Sequence, residues 1–182
     1  MTPVFVYTNY PTAELFINGK SYGKQSKNNS SLKSRYRLMW MDAVYEPGEV
    51  KVVAYNKDGK AVAEKTVRTA GKPHHIELVS NRNELTADGK DLAYVTVKVV
   101  DKDGNLCPTD SRLIHFSVKG AGKFRAVANG DPTNLEQFHL PKMHAFHGML
   151  TAIVQAGEIA GDLVLTAKAS GVKTGTVHLQ AK

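Results

Sequence analysis

This sequence has one cysteine, no long apolar run and almost no helical periodicity. A single cysteine excludes an internal disulfide, and the turn-like setting of Cys107, with no base nearby, predicts a structural thiol. No segment approaches the ~18–20 apolar residues that a transmembrane helix needs, so we predict no membrane span. Apolar residues at helical spacing are also missing over any long window, which argues against a helical fold.

The net charge of +7 suggests nucleic-acid binding as a possible function. The basic residues are scattered along the chain, and lysines on strand edges and turns also serve to prevent edge-to-edge association. The sequence contains no RNA- or DNA-binding motif and no paired Cys/His spacing. We therefore predict no nucleic-acid partner.

Short alternating runs separated by turn residues predict an all-β protein. In the first half these runs cover residues 4–8, 14–17, 22–25, 36–41, 49–56 and 61–68. In the second half they cover residues 74–80, 94–100, 113–119, 148–155, 162–169 and 175–180. Asn18-Gly19 is the strongest hairpin signal, because both central residues of a type I′ turn need a positive φ.

The boundary between two domains is predicted at residues 70–73, where Gly71 and Pro73 interrupt the strand pattern. We predict two tandem immunoglobulin-like antiparallel β-sandwich domains, over residues 1–70 and 74–182, with barrel closure as the alternative. The chain runs from Met1 directly into a strand-like segment without room for a signal peptide, so we expect an artificial start.

Residues 120–146 form the unusual segment of the second half, because Gly, Asn, Asp, Pro and His accumulate there. A long segment without a strand pattern is typical of a functional loop or an interface. Its histidines, His139, His144 and His147, lack a fourth ligand, and we predict no metal site. Residues 101–105 resemble a calcium loop, but Arg112 stands where its bidentate glutamate belongs, which favours a hairpin turn.

Five motifs follow one another in a specific order. The first half contains ELFINGKSYG at residues 14–23 and WMDAVYEPGEVKVVAY at residues 40–55. The second half contains LTADGKDL at residues 85–92, NGDP at residues 129–132 followed by Glu136, and AFHG at residues 145–148. Over essentially the whole chain, this arrangement resembles the C-terminal β-sandwich domains of bacterial β-galactosidases of glycoside hydrolase family 2.

The resemblance implies a non-catalytic region whose partner is the catalytic barrel of the same polypeptide. The two catalytic glutamates of the family lie on that barrel, so we assign no catalytic residue, no cofactor and no metal here. The acidic residues of this chain fall mostly in turns, where turn geometry explains them. The resemblance also implies a periplasmic or secreted bacterial parent enzyme.

The resemblance implies that the chain buttresses the barrel. Particular residues suggest two further functions. Asn129, Asp131, Glu136 and Phe138 are our candidates for contacts with the barrel or the rim of its active site. The alternative function is an autonomous carbohydrate-binding module for β-galactoside glycans, in which Trp40 or another aromatic ring of the first half would stack on a sugar. Those aromatic residues are Tyr7, Tyr10, Tyr22, Trp40, Tyr45 and Tyr55. A third hypothesis, which the motifs favour least, is an adhesion-type surface protein.

Overall fold

The computed structural model describes all residues 1–182 and divides into two compact units, Met1–Thr69 (unit 1) and Ala70–Lys182 (unit 2). None of its elements is a helix long and apolar enough to cross a membrane. Unit 1 contains the strands β1 (Val4–Val6), β2 (Thr12–Ile17), β3 (Lys20–Ser26), β4 (Leu38–Trp40), β5 (Glu49–Tyr55) and β6 (Ala61–Arg68). Unit 2 contains β7 (His75–Ser80), β8 (Glu84–Leu85), β9 (Leu92–Val100), β10 (Leu113–Gly120), β11 (Gly122–Ala128), β12 (Lys142–His144), β13 (Met149–Ala156), β14 (Gly161–Lys168) and β15 (Gly175–Ala181).

Unit 1 is built from a four-stranded sheet in the order β3-β2-β5-β6 and a two-stranded sheet of β1 and β4. Every second residue of β2 is buried, because successive side chains of a strand point to opposite faces. These residues share one core with Leu38 and Trp40 of β4. Asn18 and Gly19, at φ 50° and 81°, form the tight turn between β2 and β3, which confirms the predicted hairpin.

Unit 2 is a sandwich of a five-stranded sheet, β12-β10-β14-β15-β8, and a four-stranded sheet, β11-β13-β9-β7. Alternate residues of β9 on one sheet and of β14 on the other are buried in a single core. The strands of unit 2 pair antiparallel except for the two-residue pairing of β15 with β8, and an isolated parallel bridge joins His75 to Lys173. The predicted all-β, antiparallel sandwich fold is thereby confirmed.

The segment 120–146 contains two strands that the sequence pattern did not predict, β11 and β12. The register of β11 against β13 shifts between Phe124 and Ala126, so a bulge interrupts the alternation that identifies a strand in a sequence. The short β12 pairs only with the first residues of β10. What remains irregular is the connection from β11 to β12, together with the turn that leads into β13.

Candidate functional site

The two motifs of unit 1 are bonded to each other through Glu14. The Ser21 hydroxyl donates to one carboxylate oxygen of Glu14 at 2.7 Å, and the Tyr55 hydroxyl donates to the other at 2.9 Å. The bond from Ser21 is the main reason why the pKa of Glu14 lies below its usual value. This carboxylate therefore stays ionised and ties β2 to β3 and β5.

A second set of hydrogen bonds connects Asn18 with Pro47-Gly48-Glu49 in the motif at residues 40–55. The Asn18 Oδ1 accepts from the Glu49 amide at 2.7 Å, and its Nδ2 donates to the Pro47 carbonyl at 3.2 Å. Gly48 has φ +137°, and a Cβ there would lie 2.0 Å from the Asn18 Oδ1, so only glycine fits. The motif residues of unit 1 thus maintain the sheet and its turns.

Trp40 is a core residue, with 1% of its surface exposed. Its Nε1 donates to the Gly23 carbonyl at 3.0 Å, which satisfies the one polar atom of the indole. Neither face of the ring is open to a sugar, because the side chain lies in the core of unit 1.

Tyr7 and Tyr36 are the aromatic residues of unit 1 that lie beside an open cleft. They are 69% and 66% exposed, and together with Thr8, Asn9 and Lys27 they line a cavity of about 360 Å³. Exposed rings next to polar side chains are the chemistry with which proteins hold sugars. Tyr36 was not among the predicted sugar-binding aromatics.

The predicted contact residues of unit 2 lie in the anchored loop, as we name residues 129–148 between β11 and β13. Asn129 donates through Nδ2 to the His144 carbonyl at 2.9 Å and accepts from the Asp131 amide at 3.0 Å. Asp131 in turn accepts from the amide and the hydroxyl of Thr133, at 2.8 and 2.7 Å. These two bonds from Thr133, with a smaller contribution from the charge of His147, lower the pKa of Asp131.

Glu136 connects the middle of the anchored loop to His144. Its carboxylate accepts from the His144 amide at 3.1 Å and lies 3.0 Å from the His144 Nδ1. Asn129, at the start of the connection from β11 to β12, and Glu136, in its middle, therefore both bond to His144 of β12. The polar groups of Asn129, Asp131 and Glu136 are occupied in holding the loop in shape.

Three large apolar side chains of the anchored loop are exposed among its polar ones. Leu135 is 96% exposed, Phe138 is 56% exposed and Leu140 is 36% exposed. The Phe138 carbonyl accepts from the Val127 amide at 2.8 Å, so the backbone beneath this ring is fixed to β11. Leu135 and Leu140 were missed in the sequence, although three large apolar residues within a polar loop are a readable signal.

The three histidines of this region are not gathered around one point. His144 pairs with Glu136, the His147 Nδ1 lies 3.2 Å from the Pro108 carbonyl, and His139 has neither of these partners. The structure contains no group of three or more His, Cys, Asp or Glu side chains that could hold a metal ion.

The turn aspartates of unit 2 are bound by backbone amides. Asp101, only 2% exposed, accepts from the amides of Gly71, Asp103 and Asn105 at 2.7 to 2.9 Å. The bond from Gly71 is the main reason why the pKa of Asp101 lies far below its usual range. Amide bonds also lower the pKa of Asp88. Cys107 is buried, and burial raises the pKa of its thiol, which is therefore unreactive at neutral pH.

Comparison with known proteins relates both units to one class of enzyme. Residues 76–178 match the family model described as glycoside hydrolase family 2 C-terminal domain 5, and residues 1–63 match a domain of unknown function. A β-galactosidase of Bacteroides ovatus is 42% identical over 97% of this chain, which covers 20% of that protein. A β-galactosidase of Thermoanaerobacter pseudethanolicus is 30% identical over 91% of this chain, which covers 22% of it.

The same relation holds among solved structures. The crystal structure of a β-glycosidase from Bacteroides vulgatus superposes with a TM-score of 0.89 at 28% identity, over 99% of this chain and 22% of that one. The chain thus spans about a fifth of the length of the proteins that it resembles.

Proposed function

This chain belongs to the glycoside hydrolase family 2 C-terminal domain 5 family, and from that premise we propose that it is a non-catalytic accessory region of a larger β-galactosidase. One observation carries the proposal: nearly the whole chain aligns with only a fifth of a β-galactosidase at 42% identity. The catalytic barrel would then belong to the remainder of the same polypeptide. A periplasmic or secreted location of this parent enzyme is part of the proposal.

Four carboxylates of the chain have a structural role rather than a catalytic one. A glycosidase needs one carboxyl group that is still protonated near neutral pH, and such a group has a raised pKa. Hydrogen bonds lower the pKa of Glu14, Asp88, Asp101 and Asp131, so none of these four side chains is suited to be that acid. These side chains are held as anions that stabilise turns and strand pairings.

We place the contact with the barrel at the anchored loop. Its polar side chains fix the backbone, and its apolar side chains Leu135 and Phe138 are left outside. Large apolar and aromatic side chains on a rigid support are the usual centre of a protein interface. In this arrangement Phe138 makes the contact, whereas Asn129, Asp131 and Glu136 position it. The loop would buttress the barrel and shape the rim of its active site.

The test is a pair of variants in the full-length parent enzyme. Phe138→Ala should weaken the contact by about 1–3 kcal/mol, the value of burying such a side chain, and so lower the melting temperature of the enzyme or raise its KM. Ile159→Ala is the matched control, because Ile159 is an apolar residue of unit 2 that is 79% exposed outside the loop. Unchanged kinetics and melting temperature for Phe138→Ala would refute the contact.

A second candidate function, carbohydrate binding, is favoured by a different surface. The exposed Tyr7 and Tyr36 flank the cleft of unit 1, far in sequence from the anchored loop. Variants that remove the residues of one surface leave those of the other unchanged, so the two candidate functions can be tested separately.

A further inference from the structure

One segment of unit 1 carries basic residues without any acidic residue between them. Residues 15–41 contain no Asp or Glu and six basic residues, which are Lys20, Lys24, Lys27, Lys33, Arg35 and Arg37. This segment forms β3 and the connection from β3 to β4, next to the cleft of unit 1. Lys24 lies opposite Glu14 of β2, whereas Lys27, Lys33, Arg35 and Arg37 form no ion pair, so their charges attract anions from solution.

The cleft itself combines ring faces with hydrogen-bond donors. Tyr7 and Tyr36 supply the rings, while Asn9 and Lys27 supply polar groups. The Lys27 ammonium donates to the Thr8 carbonyl, which fixes the position of the charge and leaves it two further N–H donors. A volume of about 360 Å³ falls within the size range of small-ligand sites.

Two arginines flank the cleft residue Tyr36 in the sequence, and the side chain of each is held by a backbone carbonyl. Arg35 donates through Nε to the Asn29 carbonyl at 3.1 Å, and Arg37 donates through Nε to the Lys33 carbonyl at 3.0 Å. Their terminal nitrogens remain free of carboxylate partners, since neither arginine belongs to an ion pair of the structure. The Arg35 guanidinium also lies 5.8 Å from the centre of the Tyr36 ring, within cation–π distance.

Backbone hydrogen bonds hold the connection that carries these arginines. The Lys27 amide donates to the Pro11 carbonyl at 2.9 Å, and the Arg35 amide donates to the Ser31 carbonyl at 2.9 Å. A preorganised site loses less conformational entropy when a ligand binds, so its affinity is higher.

We propose that this cleft and its two arginines form a binding site for an acidic glycan, a chain whose sugars carry carboxylate or sulfate groups. The tyrosine rings stack on sugar faces, and the guanidinium groups pair with the anions, for which their planar fork is suited. Single-stranded nucleic acid uses related chemistry. Membership of a glycoside hydrolase family favours a glycan as the occupant.

The experiment is affinity electrophoresis of the 182-residue chain at about 0.15 M salt, where long-range charge effects are screened. The probes are polygalacturonate for carboxylates, a sulfated galactan for sulfates, methyl-esterified polygalacturonate as the uncharged control, and oligo-dT. We expect retardation by at least one of the two acidic glycans and little by the other probes. No retardation by either acidic glycan, or equal retardation by oligo-dT, would overturn the proposal.

Variants then locate the site. Tyr36→Ala, and the double variant Arg35→Gln with Arg37→Gln, should each weaken binding at least tenfold. The control for charge is Lys57→Gln with Lys60→Gln, which removes two charges from the β5–β6 turn and should change the affinity less than twofold. If the control weakens binding as much as the arginine variant does, the attraction is non-specific and the proposed site is wrong.

Two further readouts keep the outcome unambiguous. Tyr36→Phe retains the ring and should retain most of the binding, so its loss would contradict stacking as the role of Tyr36. Unaltered circular dichroism spectra would exclude misfolding of the variants. This proposal rests on the second candidate function, carbohydrate binding at the same cleft, and not on the contact between the anchored loop and a barrel. Glycan retardation and enzyme melting are measured on different variants, so failure of one is distinguishable from failure of the other.

Discussion

The burial of Trp40 leads to a quantitative prediction about unit 1. Trp40 is the largest of the seven buried side chains in the core of that unit. Truncating a buried Trp to Ala costs about 3–5 kcal/mol. At roughly 0.05–0.15 kcal/mol per residue, a unit of this size has only about 3–10 kcal/mol of total stability. Trp40→Ala should therefore remove at least about a third of the stability of unit 1 and, at the lower end of that range, all of it.

Trp40→Phe separates packing from hydrogen bonding. Phenylalanine fills most of the space but leaves the Gly23 carbonyl without its donor, for which we expect a loss of about 1–2 kcal/mol. With a denaturant dependence near 1 kcal/mol per M for so small a unit, the urea midpoint should fall by about 1–2 M. Leu32→Ala is the control, because Leu32 is 82% exposed and its loss should cost under about 0.5 kcal/mol.

Fluorescence provides the assay in the wild-type chain. Trp40 is its only tryptophan, so the emission reports on unit 1 alone. We expect blue-shifted emission, weak quenching by acrylamide and no change when a galactoside is added. The variants are followed by circular dichroism in urea. Quenching as rapid as that of free tryptophan, or an unchanged urea midpoint for Trp40→Ala, would refute the buried position.

Two further predictions concern the turns of unit 2. Asp101→Asn should make the stability of unit 2 less dependent on pH below about 4. Because the pKa of Asp101 is lowered in the folded state, its contribution to stability is present above the unfolded pKa near 3.9 and is lost as the pH falls below that value. Urea midpoints between pH 7 and 2 would measure the difference between the variant and the wild type. An equal acid loss in the variant would contradict this. Gly148→Ala should lower the urea midpoint more than Gly130→Ala, because both have positive φ but only the Cβ at 148 meets the Cys107 carbonyl oxygen, at 2.4 Å. Equal losses would show that the close approach does not matter.

Local signals made much of the fold predictable. Asn18-Gly19 specifies its hairpin within two residues, and the run predicted at residues 61–68 forms β6. β11 escaped prediction because its bulge at Phe124–Ala126 breaks the alternation. β8 escaped because two residues that pair with a distant strand carry no local pattern.

The candidate sites depend on contacts that are distant in the sequence. The sequence marks residues 129–136 as unusual, but it does not indicate that Asn129 and Glu136 both bond to His144. Without that information, polar residues that hold a loop look the same as polar residues that contact a partner. For the same reason the cleft of unit 1 was not foreseen, since Tyr7 and Tyr36 are brought together only by the fold.

A direct assay of hydrolysis tests the central claim that this chain is a non-catalytic accessory region. The purified 182-residue chain is incubated with an aryl β-galactoside, beside a full-length family 2 β-galactosidase as the positive control. We expect no release of the aryl group above buffer, while the control enzyme turns over. Turnover that co-purifies with the chain through successive columns would contradict the account, because it would place a working pair of carboxyl groups among these residues.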